Sequence, residues 1–206
     1  MRALDKEHPE YAARRAMWQV YRDLYAGGEQ LKQRASFYLT PRQKEPLAVY
    51  QERLARVFYE NYIGSIIDWY ASTLFRREPV LSFEGEDERA RVFFSEFAED
   101  CDRKGTSLSD FLRRLLVDAL VVGKGLVAID FPRAEKPAAN RAEEDALGLS
   151  RAYLVRYGAE ELINWSYDDA GNYEWVVLRT TGLRQPAPGE GEWLKETQWI
   201  YYDKEN

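Results

Sequence analysis

Apolar side chains recur at steps of three and four through the first half of the chain, then gather in short β-prone runs in its last third, of which Leu194 to Tyr202 alternates. That change of period is the first structural information in the sequence. Tyr11, Met17, Trp18, Tyr21, Leu24 and Tyr25 keep helical spacing behind Pro9, a residue suited to a first helical turn, and Gly27 and Gly28 supply a left-handed stop. The segment Ala35 to Thr40 (ASFYLT) reads as extended. From Pro46 to Phe75 the spacing is again helical, through Leu47, Tyr50, Leu54, Val57, Phe58, Tyr62, Ile66, Trp69, Tyr70 and Leu74. The run exceeds an ordinary globular helix, so a break is expected near Asn61 to Gly64. Its second half is apolar around most of the circumference, which suits deep burial or packing against another subunit. Ile63, Ile67 and Trp69 extend the apolar face beyond one stripe and are the candidates for subunit or domain packing.

A short strand is expected at Val80 to Phe83 and a third helix from Asp87, with Ala90, Phe93, Phe94, Phe97 and Cys101 on one stripe. Ser107 and Asp110 resemble a capping box opening a fourth helix, which Gly123 and Gly125 end. GLVAIDF (Gly125 to Phe131) then reads as a buried strand. Residues 133–148 have no aromatic residue and mixed charge, the composition of a mobile surface loop. Beyond it, strands are expected at Tyr153–Tyr157 and Leu162–Tyr167. A hairpin turn follows at Asp168–Asn172, then strands at Tyr173–Thr180 and Leu194–Tyr202, with a loop at Thr181–Gly191 between them. The expected fold class is α+β: a helix-rich half (1–132), the loop (133–148) and a small antiparallel β region (149–206).

Composition narrows the chemistry. The 206 residues carry a net charge of −6, one Cys and one His, with mean hydropathy −0.57. No run of 18 apolar residues occurs, so no membrane span is expected. The opening MRALDKEHPE lacks the apolar segment of a signal peptide. A lone Cys101 and a lone His8 leave no basis for a disulfide framework, a cysteine-built metal site or histidine catalysis. The charge is divided: residues 1–77 hold 13 basic and 9 acidic side chains, net +4, and residues 78–206 hold 16 and 26, net −10. An acidic surface disfavours tight duplex binding, which needs phosphate neutralisation, but suits a surface that DNA must pass without adhering.

No catalytic set emerges, and no cofactor or metal is expected. Lys124 lies between Gly123 and Gly125, but lacks the upstream Gly and following Ser or Thr of a phosphate loop. Asp168 with Asp169, and Glu143 to Asp145, read as solvated turn acids. Asp118, an acid within LLVDALVV, is expected either on a surface-facing part of its helix or paired with Arg113 or Arg114. The six Trp and fourteen Tyr mostly sit at packing positions rather than on a base-stacking platform. Arg76 and Arg77, with Arg53 and Arg56, form the densest positive region, the first pair suiting a helix C-terminus.

Three stretches carry a resemblance. PRQKEPLAVYQERLARVFYENYIGSIIDWYASTLFRREP follows Tyr38-Leu39, SDFLRRLLVDALVVGKGLVAIDFP runs helix into strand, and YGAEELINWSYDDAG leads into a turn. In this order they resemble bacteriophage portal proteins of the siphophage type, over roughly residues 36–180. Val122 departs from the aromatic residue expected before the glycine turn. The resemblance implies a non-enzymatic homo-oligomeric ring, usually dodecameric, at one capsid vertex of the virion, assembled in the host cytoplasm. Double-stranded DNA would pass through it during packaging and ejection. Terminase, capsid or scaffold and tail-connector proteins would dock on it. The residues here would form the peripheral wing, with stem and clip expected beyond residue 206. DNA-contacting residues are not assignable from the sequence. The alternatives are a nucleotide- or nucleic-acid-binding enzyme domain using Lys124, and a monomeric α+β adaptor binding through the 133–148 loop.

Overall fold

The computed structural model describes residues 4–80, 88–132, 139–140, 143–144, 148–149, 151–185, 189 and 191–204. Among them the chain forms seven helices and then five strands in two small antiparallel sheets, an α+β fold with a helical first half. Contacts divide it into two units, Val20–Arg156 and Met1–Gln19 with Tyr157–Asn206, so the boundary falls within the first helix.

That helix, α1, runs Pro9–Ala26. Gly27, at φ 58°, turns the chain directly into α2 (Gly28–Gln33), and Arg34 links α2 to α3 (Ala35–Tyr38). The extended segment expected over Ala35 to Thr40 is therefore helical for its first turn. The cause is tertiary. Asp23, completely buried, accepts hydrogen bonds from Arg34, from the Tyr38 hydroxyl at 2.6 Å and from Gln30 at 3.5 Å. Only a helical turn brings Arg34 and Tyr38, four residues apart, to the same carboxylate. Burial and the Asp23 hydrogen bond push the Tyr38 hydroxyl up to about 12.

The long helical run divides into α4 (Leu47–Ala55) and α5 (Tyr62–Leu74). Its break covers residues 56–61, earlier than the expected Asn61 to Gly64, because Asn61 caps the second helix rather than interrupting it. The strand expected at Val80 to Phe83 lies outside the described residues, apart from Val80. Next comes α6 (Glu88–Glu99), whose Phe94 and Phe97 are half-buried while Val92 and Phe93 are open. The expected single inward stripe is thus narrower, with Phe93 off it. Ser107 caps α7 (Leu108–Val122), its hydroxyl accepting from the Asp110 N–H at 3.2 Å, and Gly123 ends it at φ 86°. Both α5 and α6 pack against α7. Leu31, Ala35, Ala71, Cys101, Phe111, Val121 and Val122 make the core of this unit.

Asp118 of α7 pairs with neither Arg113 nor Arg114. Those two bind Asp110, and Asp118 takes Arg22 at 2.6 Å and Arg156 at 2.5 Å. Spacing along one helix could not reveal those partners, which lie 96 and 38 residues away in sequence. After Gly125, β1 (Leu126–Asp130) pairs with β2 (Tyr153–Tyr157). The expectation of a buried strand is not met: Leu126, Ala128 and Asp130 are only half-buried, and Val127, Ile129 and the following Phe131 are exposed. The loop expected over 133–148 lies mostly outside the described residues.

The other unit is a meander of β3 (Leu162–Tyr167), β4 (Tyr173–Arg184) and β5 (Leu194–Asp203). The expected hairpin turn lies between β3 and β4, closed by Asp168, whose carboxylate accepts from the Ala170 and Asn172 N–H groups and from Lys204 at 2.6 Å. Strand β4 continues four residues beyond the expected Thr180, through a stretch that reads as loop. The ladder with β5 runs on through Thr181↔Thr197 to Arg184↔Leu194 and absorbs Gly182. Tyr11 and Trp18 join Leu162, Ile163, Trp165, Val177 and Leu178 among the buried residues of this unit. His8 stacks on Trp165 at 4.0 Å and donates its backbone N–H to Ile163.

Candidate functional site

The sequence points to α5, and the site is best built from its first residue. Asn61 accepts the Gly64 N–H at 2.9 Å through Oδ1 and donates Nδ2 to the Tyr25 carbonyl at 2.8 Å. One amide thus caps α5 and ties it to the end of α1. Gly64 makes the approach possible, since a Cβ there would lie 2.7 Å from Asn61 Nδ2 and 2.8 Å from the Tyr25 carbonyl oxygen. One turn on, the Tyr25 hydroxyl donates to Asp68 at 2.7 Å. Burial, reinforced by that bond, pushes Tyr25 up to about 12. The inward side of α5 therefore carries Gly64 and Ala71, both buried, and the half-buried Ile67.

Much of the rest of the helix surface is apolar and open, Leu74 being exposed at the C-terminal end although it shares the phase of Ile67. Tyr62, Ile63, Ile66, Trp69, Tyr70 and Leu74 are all exposed, Trp69 at 62% and Ile63 at 43% of their full area. Trp69 and Tyr70 meet edge to face with ring centroids 5.1 Å apart. Of the three candidate packing residues, Ile63 and Trp69 lie on this open face, whereas Ile67 is turned toward the inward side. Helical phase explains the division: Ile67 is three residues from Gly64 and four from Ala71. Ile66, Tyr70 and Tyr62 complete the open face. Arg76 and Arg77 follow the C-cap Phe75 and are exposed.

A concavity lies in the same unit, lined by residues that precede α5. It is an open cleft of about 500 Å³ with mainly apolar walls, including Leu24, Leu31, Ala35, Leu39, Val57 and Phe58. Tyr38, which also lines it, is hydrogen-bonded to Asp23, the centre of a cluster that sequence reasoning did not find. Little in the sequence signals it: Asp23 follows the charged Arg22 in VYRDLYA and reads as part of a solvated helix face, unlike Asp118 in LLVDALVV.

Lys124 stands between the helix-ending Gly123 and β1, half-buried. The glycines close a helix and open a strand, the reverse of the strand-to-helix order in which a phosphate loop presents a helix N-terminus. Asp168 is held down to about 2, chiefly by Lys204 and then by the Asn172 N–H, as a turn-closing carboxylate. Cys101 is completely buried, and burial raises its thiol to about 11, which leaves it unreactive. Among the described residues no group of three His, Cys, Asp or Glu side chains is placed to hold a metal ion. No described helix is long and apolar enough to cross a membrane.

No protein-family model matches the chain, and no curated protein matches it.

Proposed function

We propose that this chain is a structural subunit of a bacteriophage portal ring, contributing the wing part of a conduit through which genomic DNA is packaged and ejected. The observation that carries the reading is the open face of α5. Six large apolar side chains on one helix stand in water although the same helix is fixed on its inward side by a cap, a glycine contact and a tyrosine–aspartate bond. A monomer gains nothing from such a face, and a patch of this kind marks an interaction surface. In a closed ring each copy would cover it against a neighbour.

The three stretches that resemble portal proteins supply the context. Helix α5 lies in the first stretch, and α7 with β1 makes up the second. The role is mechanical: the helices hold copies together around DNA, and terminase, scaffold and tail-connector proteins dock on the assembled ring at the capsid vertex. The excess acid of residues 78–206 suits a surface that duplex DNA passes without adhering.

Electron microscopy of the protein purified at high concentration tests the reading. Closed rings of uniform size are the expected result. Particles that remain monomeric at every concentration would overturn it.

A further inference from the structure

We infer that the open face of α5 in one copy docks on the open face of β1 in the next copy, head to tail, and this rests on the ring reading. Among the described residues of the Val20–Arg156 unit, two elements present exposed large apolar side chains that this contact would cover. One is α5. The other is the outward side of β1, where Val127, Ile129 and Phe131 stand in a row, Ile129 at 69% exposure. The pleat puts Val127 and Ile129 on one side of the strand, and the exposed Phe131 directly follows its last residue.

Three features match the two faces. The first is length. The 13 residues of α5 span about 20 Å at ~1.5 Å per residue, and β1 with the following Phe131 spans about 20 Å at ~3.3 Å per residue. The second is area. With ~150–250 Å² for each large ring, the α5 side chains leave on the order of 600 Å² open, and the β1 row adds on the order of 300 Å². Apolar atoms make up ~60% of a typical interface. About 900 Å² of them therefore implies about 1,500 Å² overall, within the ~1,200–2,000 Å² of a stable protein pair.

The third is need. A two-stranded sheet is marginal in water unless a helix or further strands cover it; among the described residues the sheet of β1 and β2 has two strands, with one side of β1 half-buried and the other exposed. A helix laid on the exposed row supplies that cover. Pairing α5 with α5 across a two-fold axis would satisfy the helix but leave the β1 row in water. Docking α5 on β1 satisfies both faces with one contact. It is also a heterologous contact, the kind that closes into a ring when the rotation per copy divides a full turn.

The test uses two variants that each lose one face. Ile66→Glu with Trp69→Glu removes the helix face, and Ile129→Thr with Phe131→Glu removes the strand face. Native mass spectrometry and sedimentation velocity read the assembly state, and circular dichroism checks the fold. Tyr70→Lys and Ile129→Thr alone replace either double variant that fails to fold. The wild-type chain should assemble beyond dimers, each variant alone should be monomeric, and an equal mixture should form a 1:1 dimer and nothing larger. In that mixture one intact α5 meets one intact β1, and both outer faces are dead. If the strand-face variant dimerises alone, or the mixture stays monomeric while the wild type assembles, the docking is wrong and the ring reading stands. If the wild type never assembles, the ring reading falls and this inference falls with it.

Discussion

At the scale of single residues, buried polar groups hold the helical half in register. The Asp23 carboxylate has no exposed surface, whereas its partner Arg34 is 36% exposed along its side chain. That asymmetry predicts which substitution hurts more. Arg34→Met strands a buried carboxylate on Tyr38 and Gln30 and should cost about 3–5 kcal/mol. Asp23→Asn keeps the shape and leaves an arginine that can turn to water, so its cost should be nearer 1–3 kcal/mol. Urea unfolding of the two variants should rank them in that order. Gly64 gives a prediction of opposite sign to the usual rule. Alanine normally stabilises a helix interior relative to glycine by about 1 kcal/mol. Here the added Cβ meets Asn61 and the Tyr25 carbonyl, and Gly64→Ala should instead destabilise by about 1–3 kcal/mol.

At the scale of elements, local spacing and capping chemistry carried most of the information. Strands β2 and β3 fall where their short apolar and aromatic runs put them, and the Ser107 start and Gly123 stop of α7 were readable as a cap and a left-handed glycine. What was not readable depended on partners distant in sequence. The α3 turn exists because Asp23 gathers Arg34 and Tyr38, and β4 runs to Arg184 because β5 is there to pair with it. For the same reason Asp118 was legible as an unusual acid but not as the partner of Arg22 and Arg156. The open face of α5 was legible from its breadth, but its phase was not, and Ile67 fell on the inward side once Gly64 and Ala71 were seen to face the protein. The β3–β4 turn carries a pH prediction. Lys204 and the turn N–H groups hold Asp168 at about 2, below the ordinary 3.8, and Arg53 with the Arg42 N–H holds Glu45 at about 2, below 4.5. Depressed carboxylates stabilise the fold fully above their unfolded values, and that stability is lost as pH falls through the folded ones. Melting temperature should therefore drop between about pH 4.5 and pH 2, and the drop should be shallower in Asp168→Asn. An equally steep acid transition in that variant would show that the Asp168–Lys204 pair contributes nothing.

At the scale of the whole molecule, the decisive question is whether the exposed apolar surface is idle or covered. The Tm of a monomer does not depend on protein concentration, whereas anything that binds only the folded state raises Tm as its concentration rises, and a neighbouring copy acts in that way. The wild-type chain should melt at higher temperature as it is concentrated. Ile63 and Trp69 both lie on the open face of α5, 43% and 62% exposed, and serine at either should abolish the dependence while lowering the dilute-limit Tm less than serine at position 67 does. Ile67→Ser should do the reverse. Its side chain is half-buried beside the inward residues, so Tm should fall at every concentration while the slope persists. Scanning calorimetry over a hundredfold range of concentration separates the two patterns. If serine at 63 and 69 lowers the dilute-limit Tm as much as serine at 67 does, the open face is serving the monomer, and assembly must be sought elsewhere on the chain.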